Sequence, residues 1–326
     1  MLTRRTLLST VAAAPLAALA SREARAAYPD KPIRLIVPFA AGGNADFVGR
    51  LVSDQMAHTL GQPIVIDNRS GAGGSLGADM AAKAAPDGYT LFLGSNGPLT
   101  VNPFVQAKLS YDPLKDFLAV GLANLAPHCL AVNADVKAKT IPEFIALSKS
   151  TPASLGTSGA GSASHMTLAR FAAATGANIT HVPYRGGGNI VPDLLAGNIT
   201  GTVTELSTVL PQISGGKVRV LGVAWTARSP QLPDVPTMIE QGVKDFTAAS
   251  YVGVLVPAGT PAEIVKALEA ALKKALNEKD LQQKMLVSGA ELVPDALMTS
   301  QGFGDYIRRE YEFAKEAAKL AGLTPA

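Results

Sequence analysis

The sequence predicts an α/β protein whose strands and helices alternate along the chain, with parallel strands covered on both faces. Two observations lead there. Apolar runs of strand length are separated by segments of helical periodicity almost from end to end. The composition is rich in Ala, Gly, Val and Leu and only 6% aromatic, which suits helices packed on a sheet better than an all-β architecture.

The first residues read as an export signal. Arg4 and Arg5 precede an apolar stretch from Leu7 to Ala20, followed by Ala24-Arg25-Ala26. A basic start, a short apolar run and a small-x-small site form a secretory signal peptide over residues 1–26, with cleavage after Ala26 and a periplasmic destination. The run is too short and too alanine-rich for a membrane span, which needs roughly 20 strongly apolar residues. Thr3-Arg4-Arg5-Thr6-Leu7-Leu8 fits a twin-arginine signal and an ordinary Sec signal equally well. The whole chain carries a formal charge of +3, and residues 1–26, with four arginines against Glu23, account for all of it. The mature chain is therefore formally neutral, and no basic stripe points to nucleic acid or to an anionic membrane. One cysteine, Cys129, excludes an intramolecular disulfide and any cysteine-rich metal or iron–sulfur site. The four histidines, His58, His128, His165 and His181, show no metal-ligand spacing. No cofactor is expected.

Taken in order, Ile33 to Val37 is the first strand. A helix from Ala45 to Leu60 follows, because Val48, Val52, Met56 and Leu60 recur every four residues, with Phe47 and Leu51 widening the stripe. Ile64 to Ile66 is the next strand and Leu76 to Ala84 the next helix. The turn Pro86-Asp87-Gly88 introduces a strand from Tyr89 to Leu93. A second series starts at Leu130-Ala131-Val132, with strands expected over 155–158, 179–182, 199–204 and 218–224. Its helices are expected over 141–149, 164–175, 189–196 and 208–214. After a strand from Tyr251 to Val256 the chain turns helical. Thr260-Pro261-Ala262-Glu263 reads as a capping box with proline at the first helical position, and Ile264, Leu268 and Leu272 as the buried stripe behind it. Helices over 279–288 and 300–320 complete the chain.

In such sheets ligands sit beyond the carboxyl ends of the strands, where helix N-termini point. The first loop in that position, Pro38 to Asp46, contains Phe39, Gly42, Gly43, Asn44 and Asp46. Its glycines leave N–H groups at the helix mouth open to an anion, and the same residues also fit a tight turn capped by Asn44 or Asp46. Gly94-Ser95-Asn96-Gly97 is a second loop of this kind. The loop Thr157 to His165 adds Ser158, Gly161, Ser162, Ser164 and His165, and His181 to Gly188 adds Tyr184, Arg185 and Gly186. Several loops rich in N–H and O–H groups at one sheet edge suit a small polar anion. Tyr184 offers an apolar wall with a hydrogen-bonding tip.

The order of these segments resembles the solute receptors of tripartite tricarboxylate transporters, the TctC-like or Bug-type extracytoplasmic proteins. Tyr28 to Ile33, the Pro38-to-Asp46 loop, Gly61 to Arg69, Ala72-Gly73-Gly74, Pro86 to Leu91, His181 to Gly186 and Arg228 to Thr237 carry the likeness. The resemblance implies a two-lobed periplasmic binding protein, type II-like, with two Rossmann-like lobes and a ligand cleft between them. It places residues 27–127 and 251–326 in the first lobe and 128–250 in the second, with crossings near Pro127 and Ser250. It implies a small organic carboxylate held by backbone and hydroxyl groups of the 38–46 and 157–165 loops, and membrane transporter subunits or a sensor protein as partners of a monomer. Two positions depart from the family pattern. Asn44 stands where a small hydroxyl residue is usual. Thr204-Glu205 stands where many members carry Asp-Asn, and an Asp there would suit a ligand ammonium. Thr204 removes that charge, which favours a dicarboxylate or aromatic acid over an amino acid, unless Glu205 faces inward and restores it.

Two enzyme readings stand beside this one. Gly73-Gly74-Ser75-Leu76-Gly77 matches G-x-S-x-G, which would make an exported serine hydrolase with Ser75 as nucleophile. Residues 69–72 separate that serine from the preceding strand, so the abrupt strand-to-helix elbow is missing. The glycines Gly71, Gly73 and Gly77 loosely match a dinucleotide fingerprint of an exported nicotinamide-dependent oxidoreductase, but they follow the second strand and lack a ribose-binding acid in register.

Overall fold

The structure is a computed structural model describing residues 28–325, so the expected signal peptide and its cleavage site lie outside the described residues. From Lys31 on, the chain folds as one unit. Its strands are β1 (Ile33–Val37), β2 (Ile64–Asn68), β3 (Thr90–Ser95), β4 (Phe117–Asn133), β5 (Ala153–Thr157), β6 (Ile179–Pro183), β7 (Gly201–Glu205), β8 (Val218–Val223) and β9 (Ala249–Pro257). The helices are α1 (Asn44–Leu60), α2 (Ser75–Ala82), α3 (Asn102–Val105), α4 (Ile141–Ser150), α5 (Ala163–Thr175), α6 (Gly187–Ala196) and α7 (Leu206–Ile213), then α8 (Ala262–Leu276), α9 (Lys279–Val287) and α10 (Ser300–Leu320).

The strands run in the order β2-β1-β3-β9-β4-β7-β5-β6, with β8 also on β4. Pairs β1–β2, β1–β3, β5–β6 and β5–β7 are parallel. Every pair made by β4 or β9 is antiparallel. The sheet is therefore mixed, where the alternation of elements had implied parallel strands throughout. The reason is β4, a 17-residue strand of which only the last residues carry a strong β signal. Its first part, through Ala123, Ala126 and Pro127, is rich in weak strand formers, and a proline argues against a central strand.

β4 joins two halves. Residues Phe117–Pro127 pair with β9, while His128–Val132 pair with β7 and Cys129–Asn133 with β8. Each half is a sheet with helices on it, which gives a two-lobed α/β molecule. In the first, Leu35, Val48, Val52, Phe92 and Leu272 are fully withdrawn from solvent. In the second, Phe144, Leu155, Phe171, Val203 and Phe246 pack on one face and Ile190, Leu194, Leu206 and Val209 on the other. β1 is buried except at Arg34, which pairs with Asp67, so the rest of its sequence is apolar with no regular alternation.

The expected capping box does not form. Thr260 Oγ1 donates to the carbonyl of Pro257 at 2.8 Å, α8 begins at Ala262, and Pro261 is the residue before it. The threonine's proton closes the turn at Gly259, and no side chain caps the first turn of α8. Val265, Leu268 and Leu272 form the buried stripe, with Ile264 half-buried beside it. Among the described residues no helix is long and apolar enough to cross a membrane.

Candidate functional site

Three helices point their N-termini at one small cavity: Gly43, Asn44 and Ala45 open α1, Ser162 and Ala163 open α5, and Gly187 opens α6. Phe39, Ser95, Ser158 and Glu205 complete its wall, together with Ser250 and Val252 of β9. The space is about 30 Å³, room for a water or two. First-turn N–H groups have no acceptor within their own helix, and the helix dipole adds positive potential there. Three such ends around one space gather free N–H donors and positive potential there.

The loop before α1 is built by Asp46. Its carboxylate accepts from the N–H of Gly42 at 3.1 Å, from Asn68 Nδ2 at 3.1 Å and from Arg50 at 2.9 and 3.0 Å. Burial alone would raise the Asp46 pKa, but the hydrogen bonds from Arg50, Gly42 and Asn68 together hold it below the ordinary value. Asp46 thus shapes the loop, while Gly42 takes the positive φ of 84° that the turn needs. Asn44 bridges the two halves of the sheet: its Nδ2 donates to Asn124 Oδ1 at 3.2 Å, and Ser207 Oγ donates to its Oδ1 at 3.0 Å.

Within the 157–165 loop, Ser162 caps α5 by accepting from the N–H of His165 at 3.2 Å. Ser164 Oγ accepts from the N–H of Ser158 at 2.9 Å and lies 3.1 Å from Ser162 Oγ. His165 Nδ1 accepts from the N–H of Gly161, and its ring stacks on His181 at 4.3 Å. Burial lowers the pKa of both, that of His181 to about 4 with His165 adding to the effect. Both imidazoles are neutral loop supports. Opposite them, Arg185 works through its backbone: its carbonyl accepts from the N–H of Ala40 at 3.2 Å, while its side chain is exposed. Gly186, at the mouth of α6, packs against the same Ala40 N–H, where a Cβ would come within 3.0 Å. Tyr184 is turned away, its hydroxyl donating to Asp193 at 2.6 Å.

Glu205 is 8% exposed and faces the cavity. Thr204 Oγ1 donates to its Oε2 at 2.9 Å and Ser250 Oγ to its Oε1 at 2.5 Å. Ser250 also lies 2.8 Å from His128 Nε2, and His128 Nδ1 lies 2.7 Å from Thr167 Oγ1. A carboxylate only accepts, so the serine proton points to Glu205 and the imidazole must donate to Ser250. Burial drives the His128 pKa well below its ordinary value, against the opposing pull of Glu205. Ser75 is buried, its Oγ accepting from Asn102 Nδ2 at 2.7 Å, donating to Gln106 Oε1 at 3.0 Å and lying 3.4 Å from the Tyr111 hydroxyl.

Phe39, Gly43, Asn44, Ser95, Ser158, Ser162 and Glu205 therefore meet at the cavity, with Gly186 and Thr204 directly behind it. Gly42, Asp46, Gly161, Ser164 and His165 build its loops. Asn96 is drawn into β9, donating to the Ala249 carbonyl and accepting from the Tyr251 N–H at 2.8 Å. The residues that sequence reasoning did not single out as lining are Ala45, Ala163, Gly187, Ser250 and Val252. Gly187 was within reach as part of the triple glycine Gly186-Gly187-Gly188, but Ser250 depends on the β4–β9 pairing. Among the described residues no group of His, Cys, Asp or Glu has the arrangement of a metal site.

The chain is similar to known proteins along most of its length. The family model for the tripartite tricarboxylate transporter family receptor matches residues 48–318. Protein BugT of Bordetella pertussis (strain Tohama I) is 35% identical over 298 residues, covering 90% of this chain and 91% of that protein. Rpa4515 of R. palustris, solved with adipate, superposes with a TM-score of 0.88 at 32% identity, over 92% of this chain and all of that one. MatC from Rhodopseudomonas palustris, solved with bound malate, gives 0.86 at 32% identity, covering 89% of this chain and 99% of that chain. The chain belongs to the tripartite tricarboxylate transporter family of receptors.

Proposed function

We propose that this protein is a periplasmic solute-binding protein that captures a small organic carboxylate between its two lobes and catalyses no reaction. The convergence of three helix N-termini on one cavity carries the reading. They supply backbone donors for a carboxylate without a paired arginine, and Ser95 adds a buried hydroxyl with no partner among the described residues. In this reading residues 27–127 with 251–326 form one lobe and 128–250 the other, supported by the change of pairing partner along β4 between Pro127 and His128. The captured solute passes to membrane transporter subunits or to a sensor.

Glu205 sets the other end of the ligand. Thr204 offers no charge to a ligand ammonium, yet Glu205 lines the cavity one position along and supplies it. It accepts hydrogen bonds and offers none. The ligand therefore presents a donor there: the hydroxyl of a hydroxy-substituted dicarboxylate satisfies both ends, and an ammonium compensated by Glu205 is the alternative that the screen separates. Adipate and malate in the similar structures are both dicarboxylates, and malate carries a hydroxyl.

A thermal-shift screen of the mature chain against mono-, di-, hydroxydi- and aminodicarboxylates and aromatic acids tests the reading. A true ligand at about 100 times its Kd raises stability by about 2.7 kcal/mol. Hydroxydicarboxylates should shift the melt most. Stabilisation by uncharged sugars and by none of the acids would refute the proposal.

A further inference from the structure

A second cavity, of about 370 Å³, lies between α5, residues 247–249 and α10. The buried His128 ring connects its lining to that of the first, bonding Ser250 of the small cavity through one nitrogen and Thr167 of the larger one through the other. Two opposite charges face it without pairing. Arg170 on α5 has one fixed bond, from Nη1 to the Thr247 carbonyl at 3.1 Å, and its guanidinium stands 5.1 Å from the Phe246 ring centre and 5.3 Å from that of Phe313. Glu310 on α10 makes no hydrogen bond or ion pair among the described residues. Both are half-buried.

An uncompensated charge withdrawn from water costs free energy. Burial pulls the Arg170 pKa down and pushes that of Glu310 up, the latter against the pull of Arg309 and Arg170. Arg170 is held flat by two aromatic rings, with most of its donors uncommitted, a geometry suited to a carboxylate. Glu310 offers the complementary acceptor. Trp225, Phe313 and Met166 supply apolar walls between them.

We propose that this cavity is a second binding site, for a small zwitterion that sets a carboxylate on Arg170, a protonated amine on Glu310 and an apolar or aromatic body against Trp225. The inference does not depend on what the first cavity binds. Titration of the mature chain with L-phenylalanine, 3-phenylpropionate and phenethylamine, followed by calorimetry, tests it. L-Phenylalanine should bind, and each single-charge counterpart should bind about tenfold or more weakly. Arg170→Met and Glu310→Gln should each cost L-phenylalanine a similar factor. Glu310→Gln should also raise the melting temperature of the ligand-free protein, because it removes an uncompensated charge. That isosteric variant carries the test if Arg170→Met does not fold. The proposal is overturned by no binding of L-phenylalanine up to about 10 mM, or by equal binding of 3-phenylpropionate. Binding that survives Glu310→Gln but is lost in Glu205→Gln would place it in the first cavity and equally overturn the proposal.

Discussion

Gly188 measures how closely the two sides of the first cavity fit. A Cβ on this residue of α6 would lie 2.4 Å from the carbonyl oxygen of Ala41, across the gap between the lobes. Its backbone is helical, so alanine is locally acceptable and even favoured over glycine. Gly188→Ala should therefore leave the melting temperature unchanged or slightly raised, yet weaken ligand binding by about tenfold or more, because the lobes cannot close fully. Unchanged affinity in calorimetry would show that closure to this contact is not part of binding. Arg185 makes the opposite case. Its carbonyl holds Ala40 while its side chain stays in solvent, so Arg185→Ala should change affinity by less than about threefold. Loss of all binding would mean that the guanidinium, and no set of neutral donors, holds the carboxylate.

At the scale of elements, the start of α1 depends on Asp46. Its folded-state pKa lies below the ordinary value of 3.8, so its contribution is complete above that value and disappears as pH falls through the lowered one. Asp46→Asn should cost about 1–3 kcal/mol at neutral pH, as a buried carboxylate with several donors is lost. It should also flatten the acid limb of the stability curve below about pH 4. An acid limb identical to that of the parent would remove Asp46 from this role. Helices and parallel strands were legible because their signals are local: the four-residue stripe of α1 and the apolar run of β1 both match the structure within a residue or so. β4 was not, because Ala, Gly and Pro weaken the strand signal and its position is fixed by β7, β8 and β9, which lie far along the chain. The glycine- and serine-rich loops announced the cavity, but could not show which side chains face it. Asn96, Ser164 and Tyr184 are spent on the backbone or on neighbours, a fact visible only when partners distant in sequence are brought together.

For the whole molecule, the contacts across the first cavity imply motion. Ala40 to Arg185 and Ser207 to Asn44 join the two sides, and about 30 Å³ admits no organic acid. On the proposed reading the lobes separate for a ligand to enter, turning about the long β4 and its partner β9. Small-angle scattering should show a smaller radius of gyration with a bound carboxylate than without. An unchanged radius across several confirmed ligands would argue for entry through local loop movement. The most direct test of the central claim is calorimetric titration of the mature chain with straight-chain dicarboxylates, their hydroxy derivatives and the corresponding diamides. A carboxylate held by three helix N-termini should give saturable one-to-one binding for at least one diacid and none for its diamide. Equal binding of acid and diamide would contradict it.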